Sequence, residues 1–148
     1  MTAAPRVFLD SNVLISALIG EAGSPPAVLV DWMGGGQLGV LLTGECNLRE
    51  VERNLSLKLP SAAPLWGRFL ERSGIEVVAC PKTPVRGINA KDAPMVGAAL
   101  KAKCDYFVTG DKRLLAEIGK SRGSALIPLA PREMLETLLQ RHLPRQRP

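Results

Sequence analysis

The chain has 148 residues, 46% hydrophobic and 22% charged, the profile of one globular domain over residues 1–140. At this length roughly two-thirds of the unfolded surface is buried, so a core needs neither disulfides nor a structural metal. The net charge is +5, and Arg141, Arg145 and Arg147 supply three of those charges, so the body is mildly basic and 141–148 reads as a solvated basic tail.

The predicted elements alternate short apolar runs with longer helical stretches. Arg6 to Leu9 is a strand ended by Asp10, and Ser11 to Leu18 turns into a helix. Pro25 to Met33 is a second helix, its prolines tolerated in the first turn. Gly39 to Leu42 is a second strand. Glu45 to Leu57 is helical, with Leu48, Val51 and Leu55 on one face. Pro60 separates it from a helix over Ala62 to Arg72, and Ile75 to Ala79 is a third strand. A helix spans about Ala90 to Cys104. Tyr106 to Thr109 is a fourth strand, followed by a short helix through Ile118. Ala125 to Ile127 is a fifth strand, and Pro131 opens a last helix to about Gln140. Short apolar strands separated by helices predict an α/β fold of three layers, α/β/α, around a five-stranded parallel sheet.

Composition narrows the chemistry. The one histidine, His142, lies in the basic tail, which argues against a Ser-His-Asp triad or a histidine-rich zinc site. Three Phe, two Trp and one Tyr are too few for a base-stacking platform, so a nucleic acid would be held mainly by its backbone. Trp32 and Trp66 fall on predicted helices and read as core or interface. No apolar run approaches the ~18 residues that a membrane span needs. Cys46, Cys80 and Cys104 form no C-x-x-C pair, and no secretory leader is visible. They read as small core residues of a cytoplasmic protein.

In a parallel sheet ligands bind beyond the carboxyl ends of the strands. Of five aspartates, Asp10 and Asp111 directly follow apolar strands, in V-F-L-D and Y-F-V-T-G-D. Asp92 starts a helix whose far end feeds the fourth strand, so it reaches the same rim. Asp105 precedes the fourth strand and belongs to the opposite rim. Singly, each rim aspartate is an ordinary helix N-cap. Three carboxylates at one rim repel one another unless a cation neutralises them. Oxygen ligands without histidine or thiolate suit Mg²⁺ or Mn²⁺, which activate water and clamp a phosphate in in-line displacement.

The segments V-F-L-D-S-N-V-L-I-S-A-L, K-D-A-P-M-V-G-A-A-L-K-A-K-C-D-Y-F-V-T-G-D and K-R-L-L resemble the PIN-domain family of metal-dependent ribonucleases, in the branch grouped with VapC-type toxins. The resemblance runs from Arg6 to about Leu139. It implies a catalytic, metal-holding set of Asp10, Glu50, Asp92 and Asp111, with Asn12 and Thr109 in support. Many relatives carry an aspartate three positions before the third acid, where this chain has Asn89. The resemblance further implies an RNA substrate, a small antitoxin partner encoded beside the toxin, and a homodimer.

Glu50 lies far from the Leu48, Val51, Leu55 stripe on a helical wheel, so the residues themselves read it equally as a solvated surface glutamate. Ser11 reads as the cap of the first helix rather than a cleft residue. Lys112 and Arg113, like Lys91 and Arg86, either steer a phosphate or are ordinary exposed residues. The leading expectation is an endoribonuclease. A catalytically weak or inactive RNA- or protein-binding module is its rival. A phosphohydrolase of the haloacid-dehalogenase type ranks last, because it wants a second aspartate where this chain has Asn12.

Overall fold

The computed structural model describes residues 4–121 and 125–142. Five strands, β1 (Arg6–Leu9), β2 (Val40–Gly44), β3 (Glu76–Val78), β4 (Tyr106–Val108) and β5 (Ile127–Leu129), form one parallel sheet in the order β3-β2-β1-β4-β5. Seven helices connect and follow them: α1 (Ser11–Ile19), α2 (Pro25–Met33), α3 (Glu45–Lys58), α4 (Ala63–Ser73), α5 (Ala93–Lys101), α6 (Lys112–Lys120) and α7 (Pro131–His142). A 3-10 turn at Pro60–Ala62 joins α3 to α4.

Side-chain alternation along the strands divides the core into two layers. Val7 and Leu9 of β1 point to the face covered by α1, α2, α3, α4 and α7, where they meet Leu14, Leu29, Val51, Trp66 and Leu138. Phe8 points the other way, to α5 and α6, among Leu42, Val96, Ala99, Phe107 and Leu114. The register aligns Phe8 with Leu42 on one side and with Phe107 on the other. The Phe8 and Phe107 rings stack with centroids 5.3 Å apart. This is the three-layer α/β/α arrangement expected from the sequence.

Several boundaries move, each for a local reason. The helix expected from Ala90 begins at Ala93, because residues 90–92 form a turn closed by Asn89, whose carbonyl accepts from the Asp92 and Ala93 amides. It ends at Lys101, and Lys103 turns the chain into β4 from the left-handed region (φ 57°). The fifth strand lies at Ile127–Leu129 rather than Ala125–Ile127. It includes Pro128, which the sheet tolerates because β5 is an edge strand. α7 runs to His142, so the first two residues assigned to the tail are helical, while Arg145 and Arg147 lie outside the described residues. Trp66 is core and stacks on Phe69, whereas Trp32 is 40% exposed.

The cysteines require a correction. Cys104 is a small core residue, and burial pushes its thiol up to about 11. Cys46 and Cys80 form a disulfide across a separation of 34 residues. It ties the first turn of α3 to the segment after β3, and the Cys46 amide donates to Cys80 Sγ at 3.3 Å. Gly44 leaves room for it: a Cβ there would collide with Cys80 Sγ and Asn47 Oδ1. Sequence spacing does not reveal such a pair, because parallel strands β2 and β3 bring it together. Closing a loop of this length stabilises a fold by about 2–4 kcal/mol. Cys80→Ser should therefore lower stability by about that much in urea unfolding of the unreduced protein, and alkylation before reduction should label neither Cys46 nor Cys80 in the wild type.

Candidate active site

β1 is followed in the sheet by β2 on one side and β4 on the other, so the chain reverses its direction of travel across the sheet between β1 and β4. A crevice opens at the carboxyl ends of strands at such a point. Asp10 continues the ladder there, its amide donating to the Val108 carbonyl at 3.0 Å. A cleft of about 580 Å³ lies beyond, and Asp10, Glu50, Asp92 and Asp111 all line it, with Asn12, Asn47, Arg53, Lys91 and Arg113.

Asp10 is the most enclosed of the four acids, at 5% exposure. Its Oδ1 accepts from the Ser11 amide at 2.6 Å, which caps α1. Its Oδ2 accepts from Asn12 Nδ2 at 3.0 Å and from Thr109 Oγ1 at 2.7 Å. The Thr109 hydroxyl is fully used, because it also accepts from Asn12 Nδ2 and from the Asp111 amide. Asn12 Oδ1 accepts from the Gly110 amide at 3.0 Å. One network thus locks the end of β1 to the T-G-D turn after β4. Asn12 and Thr109 both hydrogen-bond the Asp10 carboxylate.

Burial pushes the Asp10 carboxyl from 3.8 up to about 6. The Thr109 and Ser11 hydrogen bonds pull it down, and the Glu50 and Asp92 charges push it up further. Capping and cleft placement coexist elsewhere too. Asp111 Oδ1 accepts from the Arg113 and Leu114 amides at the start of α6 while the residue lines the cleft.

Glu50 faces the cleft even though the helical wheel leaves it unassigned. α3 packs Val51 and Leu55 inward and turns Glu50 toward α1, where Ser11 Oγ donates to Oε2 at 3.3 Å. Asp10 rather than Ser11 caps α1, and Ser11, expected as that cap, is buried with its hydroxyl bonded to Glu50. Asn47, absent from the sequence reading, organises this side. It is buried, and its Nδ2 donates to Ser11 Oγ at 2.9 Å and contacts Met95 Sδ at 3.3 Å. Its Oδ1 accepts from the Gly44 amide, a helix N3 side chain reaching back to the N-cap. The sequence signal for it, not used above, is an Asn three residues past the glycine that ends β2.

Asp92 sits on the far wall, 8% exposed. Its Oδ2 accepts from Asn89 Nδ2 at 2.7 Å and from Arg113 Nη2 at 3.3 Å. Glu117 is a second residue that the sequence reading missed. It accepts from the Asn89 backbone and side chain, and Arg113 Nε lies 3.7 Å from it at i,i+4 spacing. Of the four cations singled out, Lys91 and Arg113 line the cleft, while Lys112 and Arg86 do not. Asp105 is at the opposite rim, where its carboxylate accepts from the Arg6 amide.

The donor set is chemically of the type that suits a hard divalent cation, since it consists of carboxylates lining one cleft, with the buried Asp10 carboxyl shifted up. Among the described residues, no group of three acids is spaced to hold an ion.

A family model described as PIN domain matches residues 6–113. The fold is similar to the crystal structure of PAE2754 from Pyrobaculum aerophilum, with a TM-score of 0.58 at 17% identity, over 95% of this chain and 99% of that one. Among curated proteins, none matches this chain.

The Asp10 shift has a sign that can be measured. Between pH 4 and 6 the unfolded chain gives up the Asp10 proton before the folded protein does, so the folded state binds more protons and loses stability as pH rises. A shift from 3.8 to about 6 corresponds to at most about 3 kcal/mol. Urea midpoints at pH 4 and pH 7 should show wild type losing up to that amount relative to Asp10→Asn.

Proposed function

Because this chain belongs to the PIN-domain family, we propose that it is a Mg²⁺- or Mn²⁺-dependent endoribonuclease whose catalytic set is Asp10, Glu50, Asp92 and Asp111. PIN domains are generally nucleases and generally use divalent metal ions. The observation that carries the reading is the convergence of these four acids on one cleft at the β1/β4 crevice.

A bound divalent ion supplies polarisation of water and of the scissile phosphate and offsets charge on the leaving oxygen. The chain does the rest. Thr109 and Asn12 fix the orientation of Asp10, and Ser11 fixes Glu50. Asp10, whose carboxyl burial pushes up to about 6, is the acid at which a bound cation would take the place of a proton. Arg53 on one wall and Lys91 on the other offer positive charge to the phosphates flanking the cut.

The toxin of a toxin–antitoxin pair is the biological role we attach to this chemistry, with RNA as substrate, a small antitoxin as partner and a homodimer as the assembled form. No helix among the described residues is long and apolar enough to cross a membrane. A cytoplasmic setting belongs to the same reading.

One observation favours a second reading, a weakly active or inactive binding module: Asp92 is already engaged by Arg113 and Asn89. Cleavage of a mixed RNA pool separates the two. Wild type should cut with Mn²⁺ or Mg²⁺ and not with EDTA. Asp10→Asn and Asp111→Asn should fold and lose more activity than the ~10–100-fold typical of an outer-shell partner. Metal-independent cutting, or full activity in Asp10→Asn, would sink the ribonuclease assignment.

A further inference from the structure

The Cys46–Cys80 disulfide belongs to the wall of the cleft. Cys46 is the second residue of α3 and lines the cleft with Asn47 and Glu50. Cys80 lies just after β3, and with Val78, Val85 and Ile88 it packs on the layer that contains Met95 and Val96 of α5. The next residue, Pro81, sits so close to α5 that a Cβ on Gly97 would press on its ring. The bridge therefore fastens the helix that carries Glu50 to the segment lying against the helix that starts at Asp92.

The environments of the two half-buried cysteines differ. Cys80 Sγ is packed against Gly44, and it accepts from the Cys46 amide in the first turn of α3 at 3.3 Å. Cys46 borders open space on its cleft side. If the bond breaks, the sulfurs must separate to van der Waals contact. Gly44 and the fit of Pro81 on Gly97 leave Cys80 little room, so the movement falls on Cys46 and the first turn of α3. The residue after Cys46 is Asn47, whose side chain holds the Gly44 amide, the Ser11 hydroxyl and Met95 Sδ. Ser11 in turn holds Glu50. A continuous series of contacts thus runs from the disulfide to a cleft carboxylate.

We propose that Cys46–Cys80 is a site of reversible thiol–disulfide exchange with a dithiol reductant, and that its redox state sets the order of the α3 wall of the cleft. A thiolate of the dithiol attacks Cys46 Sγ from the cleft, the S–S bond breaks, and Cys80 leaves as a thiolate and takes up a proton. The amide at the start of α3 stabilises that leaving thiolate. The second thiol of the reductant gives up its proton and attacks its partner sulfur in the mixed disulfide, and Cys46 leaves and is protonated. The reductant ends as a disulfide, and its two electrons reside in the Cys46 and Cys80 thiols. The oxidised chain holds Asn47, Ser11 and Glu50 in place, and the reduced chain releases them. This holds whether or not the chain cuts RNA.

Hydrogen exchange of the full chain, oxidised and then treated with dithiothreitol, tests it, with thiols counted by alkylation in denaturant. The count should rise from one, Cys104, to three. Amide exchange should quicken in residues 44–50 and 79–88, stay unchanged in α6, and slow again on reoxidation. The double variant Cys46→Ala/Cys80→Ala should exchange like the reduced protein and ignore the reductant. Three thiols before reduction, or a count that stays at one in native buffer, would overturn the proposal. So would unchanged exchange at a count of three, or a rise spread evenly over the sheet, which marks a purely structural bridge. Should the double variant fail to fold, the wild-type comparison alone decides. Absence of RNA cleavage in both redox states would remove the ribonuclease reading and leave this proposal standing.

Discussion

The hydrogen bond from the Thr109 hydroxyl to Asp10 joins the two central strands at the point where the sheet reverses its order. A carboxylate this deeply buried faces a desolvation penalty of several kcal/mol, and it persists only where donors and charge meet it. Asp10 receives three donors: the Ser11 amide and the Asn12 side chain from the first turn of its own helix, and the Thr109 hydroxyl just past the neighbouring strand. Those contacts do not cancel the burial, as the upward shift to about 6 shows. The rest of the cleft is arranged around that remaining deficit. Glu50 and Asp92 add negative charge beside Asp10 rather than relieving it, which favours a proton or a cation in the cleft.

The two walls of the cleft are built differently. On the α3 side, Asn47 is buried and organises Ser11, and Ser11 holds Glu50 by one long hydrogen bond. That wall can adjust to a ligand at small expense. On the α5/α6 side, Asp92 is held by two donors and tied through Asn89 to Glu117. The same helix starts therefore serve two purposes, with Asp10 and Asp111 satisfying orphan amides while presenting their remaining acceptor capacity to the cleft.

Much of this was legible in the sequence because burial periodicity and strand ends are local features. V-F-L-D and Y-F-V-T-G-D announce both central strands and the acids that follow them, and the parallel sheet places those acids at one rim. Three features were not legible. The partner of Glu50 lies 39 positions away on another helix, so no helical wheel could assign it. Glu117 reads as one more charge on a short amphipathic helix, and its meeting with Asn89 depends on how α6 packs beside the loop before α5. The Cys46–Cys80 bridge depends on the pairing of β2 with β3, which the odd cysteine count obscures. In each case the deciding contact is long-range, and composition argues only for the average.

The most direct test of the account is the titration of the Asp10 carboxyl carbon by NMR, in the absence and in the presence of saturating Mg²⁺. The account predicts a midpoint near 6 without the ion and one below the ordinary carboxylate value of 3.8 with it, because the cation replaces the proton as the group that relieves the buried charge. A midpoint near 3.8 without the ion, unmoved by Mg²⁺, would contradict the claim that the cleft is built around an unrelieved charge at Asp10.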